Sequence, residues 1–454
     1  MVVTQPTKTV VAPAFLDPAA AFRSFARWQH GVTVSPVAQV DQRHALHAYY
    51  TANPEHPHGD STLLYTSTER DAHAGQILTI DRDTGDERVL VSGLSTEDSH
   101  RAACQQWVSG GRRVAFHDVR IQDGREQWVV STVDVATGEQ RVLARDRQLG
   151  WGQPGGDLVP VYGPHWDPAA HRDLDLIDVT TGECRTVLTA EAVCDAYPDL
   201  IREEFGELAS RPDWPLSIFF PALSPDLTRV FFKMAAPLGG HYRSKEASRR
   251  AMLVCYDLAA KRFLFADQKW GHPAWSPDSR TILDVPHVLI DADTGARRTL
   301  GDLPRLPGSH PSFSPDGSLY VSDVALHRIE DGPLKGGKGE WGIVVVDIAS
   351  RQLALIDRFD DSAGTSSWRR CHPHPVFSAD GDRIYYAVSR TPWTQLRAFS
   401  SGMSRKHEGD GLVGSGGVGA ECRGDVGCPG LTEEGEGEVA AGRHDLGRRA
   451  AAHL

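Results

Sequence analysis

The sequence predicts an all-β fold, a seven-bladed β-propeller, on three observations. A phrase of the form aromatic-Ser-x-Asp-Gly recurs about every 45 residues. A second phrase, a β-rich run ending in Asp-x-x-Thr-Gly, alternates with it. Gly and Pro number 44 and 28 in 454 residues, too many turn formers for a helical bundle.

The first phrase is clearest in the second half of the chain. It reads FPALSPD from Phe220, HPAWSPD from His272, HPSFSPDG from His310 and HPVFSADG from His374. Each copy precedes a short β-branched or aromatic run, at 229–233, 281–285, 319–323 and 383–388, which reads as a strand. Weaker copies stand at 106–111, 153–157 and 58–60, before strands at 114–118, 158–162 and 63–66. The second phrase reads IDRDTG from Ile80, VDVATG from Val133, IDVTTG from Ile177 and IDADTG from Ile290, with degenerate forms at 256–257 and 346–350. Its Thr-Gly supplies the positive φ of a hairpin turn.

Two hairpins per unit make four strands, and seven units fit between about residues 55 and 400. Four-stranded sheets repeated radially make a propeller. A β-helix would repeat faster and without paired hairpins; a sandwich would not repeat the Ser-x-Asp-Gly phrase. The last unit is short of one strand, and a β-rich piece within 32–40 would supply it and close the ring. Residues 1–400 are therefore assigned to the propeller. Residues 401–454 are rich in Gly, Glu, Ala and Arg and contain no aromatic residue, so they are expected to form a disordered tail.

Composition narrows the function. The net charge is −12 and no extended basic face is in evidence, which argues against nucleic acid as a partner. Mean hydropathy is −0.35, and no run of 18 apolar residues exists, so no helical membrane span is expected. The first 15 residues lack a basic stretch followed by an apolar core. Seven cysteines, an odd number with no Cys-x-x-Cys pair, fit neither a disulfide framework nor a zinc cluster. Together these point to a reducing cytoplasm.

Candidate chemistry comes from where the histidines fall. In the last three repeats a histidine opens the innermost strand: His272, His310, and the pair His372 and His374. Equivalent strand starts ring one mouth of a propeller's channel, so the repeat brings these imidazoles together. On a strand, His372 and His374 would share a face. Two imidazoles plus one from the neighbouring blade make a three-nitrogen metal site. The alternative is that His-Pro is only a favoured strand opening. Against it, Phe220 and Gln106 serve elsewhere in the repeat. His117, His165, His171, His287 and His327 have no such placement and read as satisfied or surface histidines. A locally basic segment at 239–250 interrupts the fourth repeat. It is either a solvated loop or a guanidinium clamp for carboxylates, with Arg243 and Arg250 as its arms. Arg250 would be the more rigid, at the start of a strand over 251–256.

These residues resemble the oligogalacturonate lyases, a polysaccharide-lyase family built on a seven-bladed propeller. The carrying stretches are WGHPAW from Trp270, GSHPSFSPDGSLYVSD from Gly308 and CHPHPVF from Cys371, so the resemblance is clearest over residues 215–400. It implies that His310, His372 and His374 ligate a divalent ion of the manganese type, that His272 is the general base, and that Arg250 binds substrate beside it. It implies a small acidic oligosaccharide as partner. The chain departs from the pattern twice. Arg369 stands where the family has a metal-ligating glutamine, and a guanidinium cannot ligate a cation; Arg369 is instead a candidate for a substrate carboxylate. Phe220-Pro221 stands where the family has His-Pro.

The expected reaction is β-elimination: a neutral base takes the proton α to a uronate carboxylate whose charge is stabilised, and the C4 oxygen leaves. No acid pair suited to a glycosidase emerges from the repeats, whose aspartates read as turn formers. A non-catalytic propeller that binds oligouronates or a protein partner is the other reading, and a lyase that binds uronates without cleaving them is a third.

Overall fold

Turn chemistry sets the sheets. In the Thr-Gly phrase, one carboxylate oxygen of Asp81 accepts hydrogen bonds from the N–H groups of Asp83 and Thr84 and from the Thr84 hydroxyl, at 2.9, 2.8 and 3.1 Å. Asp134 and Asp291 repeat all three bonds, and Asp178 accepts the two from backbone. The glycine that follows has φ between 72° and 78° in all four turns, a region that penalises any Cβ. In the other phrase, the Ser314 hydroxyl donates to Asp316 at 2.6 Å and accepts from the N–H of Leu319 at 2.9 Å, pinning the turn into the next strand. Ser224 with Asp226 and Ser378 with Asp380 do the same. The repeated aspartates are thus committed to local backbone, as expected of turn formers.

The structure, a computed structural model, describes residues 32–401 except 40–41, 69–73, 96–101, 169, 212, 214, 241–244, 270, 302, 362–371 and 390, together with strands Thr9–Val11 and Ala14–Phe15. Seven blades follow in chain order. Blade 1 holds His44–Leu46, Ser61–Ser67, Gly75–Asp81 and Glu87–Leu94; blade 2 runs from Gln106–Val108 to Gln140–Arg145; blade 3 from Gln148–Leu149 to Cys184–Leu188. Blade 4 runs from Ser217–Leu223 through Arg229–Pro237 and Ser248–Asp257 to Arg262–Asp267; blade 5 from Ala274–Trp275 to Arg297–Thr299; blade 6 from Ser312–Phe313 through Leu319–Ala325 to Gln352–Asp360. Within each, consecutive strands pair antiparallel. The first strands of blades 5, 6 and 7 lie against one another around the channel.

Blade 7 has only three strands from the C-terminal side, Val376–Phe377, Arg383–Val388 and Gln395–Ser401. Its fourth is Val32–Pro36, antiparallel to Gln395–Ser401 from Val32 against Ser401 to Pro36 against Arg397. The expected closing strand therefore forms. Two further N-terminal strands extend the edges: Thr9–Val11 beside Val32–Pro36, and Ala14–Phe15 beside Gln352–Asp360 of blade 6.

The seam between blades 1 and 7 carries a buried polar clamp. The Glu55 carboxylate accepts from Arg82 at 3.1 Å, from the Tyr385 hydroxyl at 2.9 Å and from the Ala379 N–H at 2.6 Å. Arg82 also reaches Asp380 at 3.5 Å. Arg229 of blade 4 likewise reaches Asp293 of blade 5 at 2.7 Å, and neighbouring blades also meet through apolar layers. Between blades 6 and 7 the layer is Val321, Val345, Ile356, Phe377, Tyr386 and Phe399, all at most 2% exposed. The β-branched and aromatic residues that favour strands also fill these gaps.

Two short helices, Ala190–Ala196 and Pro198–Phe205, interrupt the passage from blade 3 to blade 4. The repeat did not foretell them. Thr189 caps the first by accepting from the Ala192 N–H at 3.1 Å, and Pro198 opens the second. Val193, Ile201 and Phe205 face the core beside Leu216, Ile218 and Met252 of the neighbouring sheet region. Among the described residues no helix is long and apolar enough to cross a membrane. The tail expected to be disordered lies, from residue 402 on, outside the described residues.

Two outcomes are expected. Glu55→Ala strands Arg82, Tyr385 and the Ala379 N–H in a buried seam, and is expected to destabilise the ring by about 3 kcal/mol, read from urea unfolding midpoints. The turn aspartates have pKa values held below the ordinary aspartate value, Asp134 first by the Thr137 N–H. Depressed carboxylates contribute stability above the unfolded pKa and lose it as pH falls through the folded one. The stability difference between wild type and Asp134→Asn is therefore expected to be larger at pH 6 than at pH 3, about one unit below the free aspartate value.

Candidate metal centre and its surroundings

The His-Pro openings of blades 5, 6 and 7 place His272, His310 and His374 two residues before their first strands. One ligand atom from each of His310, His372 and His374 lies within 4.8 Å of the others. Ring centroids separate by 4.4 Å for His310 and His374, 5.2 Å for His310 and His372, and 5.8 Å for His372 and His374. His272 stands at the edge of this group, 4.2 Å from the His310 ring. The four histidines singled out in the sequence are thus brought together.

The way His372 and His374 meet differs from expectation. Residues 372–375 are not strand, and His374 has φ +46°, in the left-handed region. A pleat does not put the two rings on one side; a turn of the backbone at His374 does. That conformation costs about 1–3 kcal/mol and must be held by its surroundings. Two buried side chains from other blades hold it. Asp323 of blade 6 accepts from the His374 N–H at 3.2 Å, and His47 of blade 1 donates from Nε2 to the His374 carbonyl at 2.8 Å.

Asp323 also organises His310. It sits across from it on the next strand and accepts from the His310 N–H at 2.6 Å and from Nδ1 at 3.0 Å. The imidazole therefore carries its proton on Nδ1 and turns Nε2 toward the cluster. This is the carboxylate–histidine arrangement that orients metal ligands. Burial pushes Asp323 up to about 7, against the pull of His372 and of the two N–H groups. The donor set suits a divalent ion that accepts nitrogen. Two nitrogens on one ion stand roughly 3.4 Å apart at a bond length of about 2.1 Å, so small ring rotations would close the observed spacing.

The surroundings are aromatic on one side and cationic on the other. The first strand of blade 1 breaks after Leu46 and resumes in the bridge of Glu55 to Thr62, so residues 47–54 bulge into the channel. Tyr49 stacks on Trp151 at 5.5 Å and meets the His374 ring at 4.5 Å; Tyr50 meets His310 at 5.4 Å and donates to the Pro273 carbonyl at 3.2 Å. Trp341 lies 5.2 Å from His372. On the cationic side, burial, then His310 and Lys233, lower His272 to about 3, while an interaction with the Ser309 backbone pulls the other way. His272 is therefore neutral at ordinary pH. Burial, then the Arg250 charge, hold the Lys233 amine well below its usual value. Gly271 is required where it stands: a Cβ there would lie 2.0 Å from an Asp284 oxygen.

Arg250 is exposed on the strand Ser248–Asp257, which begins three residues earlier than the sequence suggested, and lies 5.8 Å from the Phe219 ring centroid. Arg243 and Arg369, the other candidate substrate contacts, lie outside the described residues. Of the set-aside histidines, His165 is held by Ser248 at 2.6 Å and His287 by the Pro304 carbonyl at 2.8 Å, away from the cluster. Sequence reasoning missed Asp323, His47, the Tyr49–Tyr50 pair and Lys233. Asp323 stood in a quoted stretch, and strand pairing opposite His310 would have found it. Lys233 was visible as a lone cation in the run VFFKM.

The chain shares its fold with two oligogalacturonate lyases. One, in complex with manganese, superposes with a TM-score of 0.56 at 14% identity, over 88% of this chain and 97% of that one. The other, from Vibrio parahaemolyticus, gives 0.56 at 12% identity, over 87% and 97%. At these identities the likeness is one of fold. No protein-family profile and no curated protein matches the chain.

Asp323→Asn and His47→Ala are each expected to weaken the binding of an added divalent transition metal at the three-histidine cluster by about 10- to 100-fold, measured by calorimetry, because the imidazoles lose their orientation.

Proposed function

We propose that the protein is a metal-dependent lyase that cleaves short oligogalacturonates by β-elimination. The observation that carries this reading is a neutral imidazole, His272, standing beside a three-imidazole cluster and within the field of Lys233. The lyase fold supports it, and the manganese of one such lyase makes a manganese-type ion the first choice. Free thiols at Cys184, Cys194 and Cys255 accord with the cytoplasm as its place.

His310, His372 and His374 would hold the ion. When bound, it supplies a Lewis acid for the uronate carboxylate. Arg250, exposed on its strand, would pair with that carboxylate and orient the sugar. The C5 proton is weakly acidic while the carboxylate keeps its charge, so positive groups fixed around that carboxylate lower the barrier. His272 then takes the proton on its unprotonated nitrogen. Its low pKa keeps it unprotonated, and a substrate anion nearby would raise its basicity again. The bond from C4 to the glycosidic oxygen breaks, leaving a C4–C5 double bond. The aspartates of the repeats are bound in turns, which disfavours a two-carboxylate hydrolysis.

Incubation with digalacturonate and Mn2+ is expected to raise the ultraviolet absorbance of the unsaturated uronate. His272→Ala should abolish turnover and keep the metal, whereas His374→Ala should lose the metal. No product across a panel of oligouronates would leave the non-catalytic uronate binder; full activity in both variants would move the site elsewhere.

A further inference from the structure

Lys233 interrupts a run of enclosed residues in the second strand of blade 4: Phe231, Phe232, Met234 and Ala235 around it are fully buried. Both neighbouring strands bulge beside it. On one side Phe220 and Pro221 together stand against Phe232; on the other Met252 and Leu253 together stand against Lys233. Each bulge holds a bulky residue in the left-handed region, Phe220 at φ +57° and Met252 at φ +70°. Bulges re-aim side chains and gather beside functional sites, and backbone strain of this kind persists where it serves one. The half-buried Lys233 stands on the wall of a cavity of about 400 Å3, shared with His272, Val285, Pro286 and the loop of residues 305–309. That size falls within the roughly 300–1,000 Å3 of small-molecule sites. Pro286 and Arg305 are exposed, so the cavity meets solvent between them. Burial, then the Arg250 charge, lower the amine, and Asp284, which opposes them, is itself tied to the backbone of Val285, His272 and Gly271. Near neutral pH Lys233 therefore offers more unprotonated amine than an exposed lysine does.

We propose that Lys233 is a carbonyl-reactive amine, which takes a small aldehyde or ketone in this cavity as a reversible imine. A desolvated lysine beside a second cation is an arrangement that activates the amine as a nucleophile. The nitrogen lone pair attacks the carbonyl carbon, and the carbonyl oxygen takes up a proton. The carbinolamine then loses that oxygen as water, with the protons it needs coming from the nitrogen and the solvent, and a C=N bond remains. Water is the sole by-product, and nothing is oxidised or reduced. Lys233 is also engaged with a neighbour in the fold. That engagement does not bar the step, because an amine can keep one N–H donated while its lone pair attacks. Neither the metal cluster nor a uronate takes part.

The test is reductive trapping on the full-length protein at pH 7, with glycolaldehyde or dihydroxyacetone and cyanoborohydride, followed by peptide mass mapping over time. Lys261, Lys269, Lys335 and Lys338 are exposed and serve as internal references. Lys233 is expected to be alkylated at least about tenfold faster than these four, the gain in free amine from one unit of lowered pKa. The faster of the two probes tells whether an aldehyde or a ketone suits the cavity. Unfolding in urea should level the rates, and Lys233→Arg should remove the fast site while the references react as before. Alkylation of Lys233 by both probes no faster than the references overturns the proposal, as does a preference for Lys233 that survives in urea. The wild-type rates alone decide this, so a variant that fails to fold does not shield it.

Discussion

A ring of sheets has no edge only if its last sheet is completed, and here that depends on one strand from the other end of the chain. Val32–Pro36 satisfies the outer edge of Gln395–Ser401, and without it blade 7 would present unpaired backbone. Around that seam the chain places a buried ion pair, Glu55 with Arg82, where apolar contact alone could be satisfied by several arrangements. The closure matters to the site because it brings His47 of blade 1 against the His374 carbonyl of blade 7.

Within that frame the site depends on one carboxylate. Asp323 touches the backbone of two histidines and the ring of one, across two blades. It converts a loose gathering of imidazoles into an oriented set, and it shares with His47 the work of keeping His374 in a backbone conformation that few residues adopt. Strain at a functional residue persists only when its neighbours over-determine it, and His374 is held on both its N–H and its carbonyl.

Much of this was legible in the sequence, for a definite reason. A propeller repeats, so the Thr-Gly and Ser-x-Asp phrases announced blade number, and repeat symmetry turned histidines 38 to 64 residues apart into neighbours. What escaped was whatever broke the repeat. The helices of residues 190–205 sit between blades and follow no period. His47, Tyr49 and Tyr50 lie on a bulge where blade 1 abandons its strand. The shared face expected of His372 and His374 assumed an extended backbone, and a left-handed residue cannot be inferred from a His-Pro-His-Pro string. Asp323 was passed over because in the repeat most aspartates serve turns; this one differs by its register opposite His310, which is a property of pairing and not of composition.

The bulge at residues 47–54 has one more consequence. Tyr49 and Tyr50 touch rings from blades 3 to 7, from Trp151 and Phe220 to His272, His310 and His374. Two adjacent side chains of blade 1 thus act as a hub on which five other blades converge, so a shift of any of these blades would be passed to the imidazoles through ring packing.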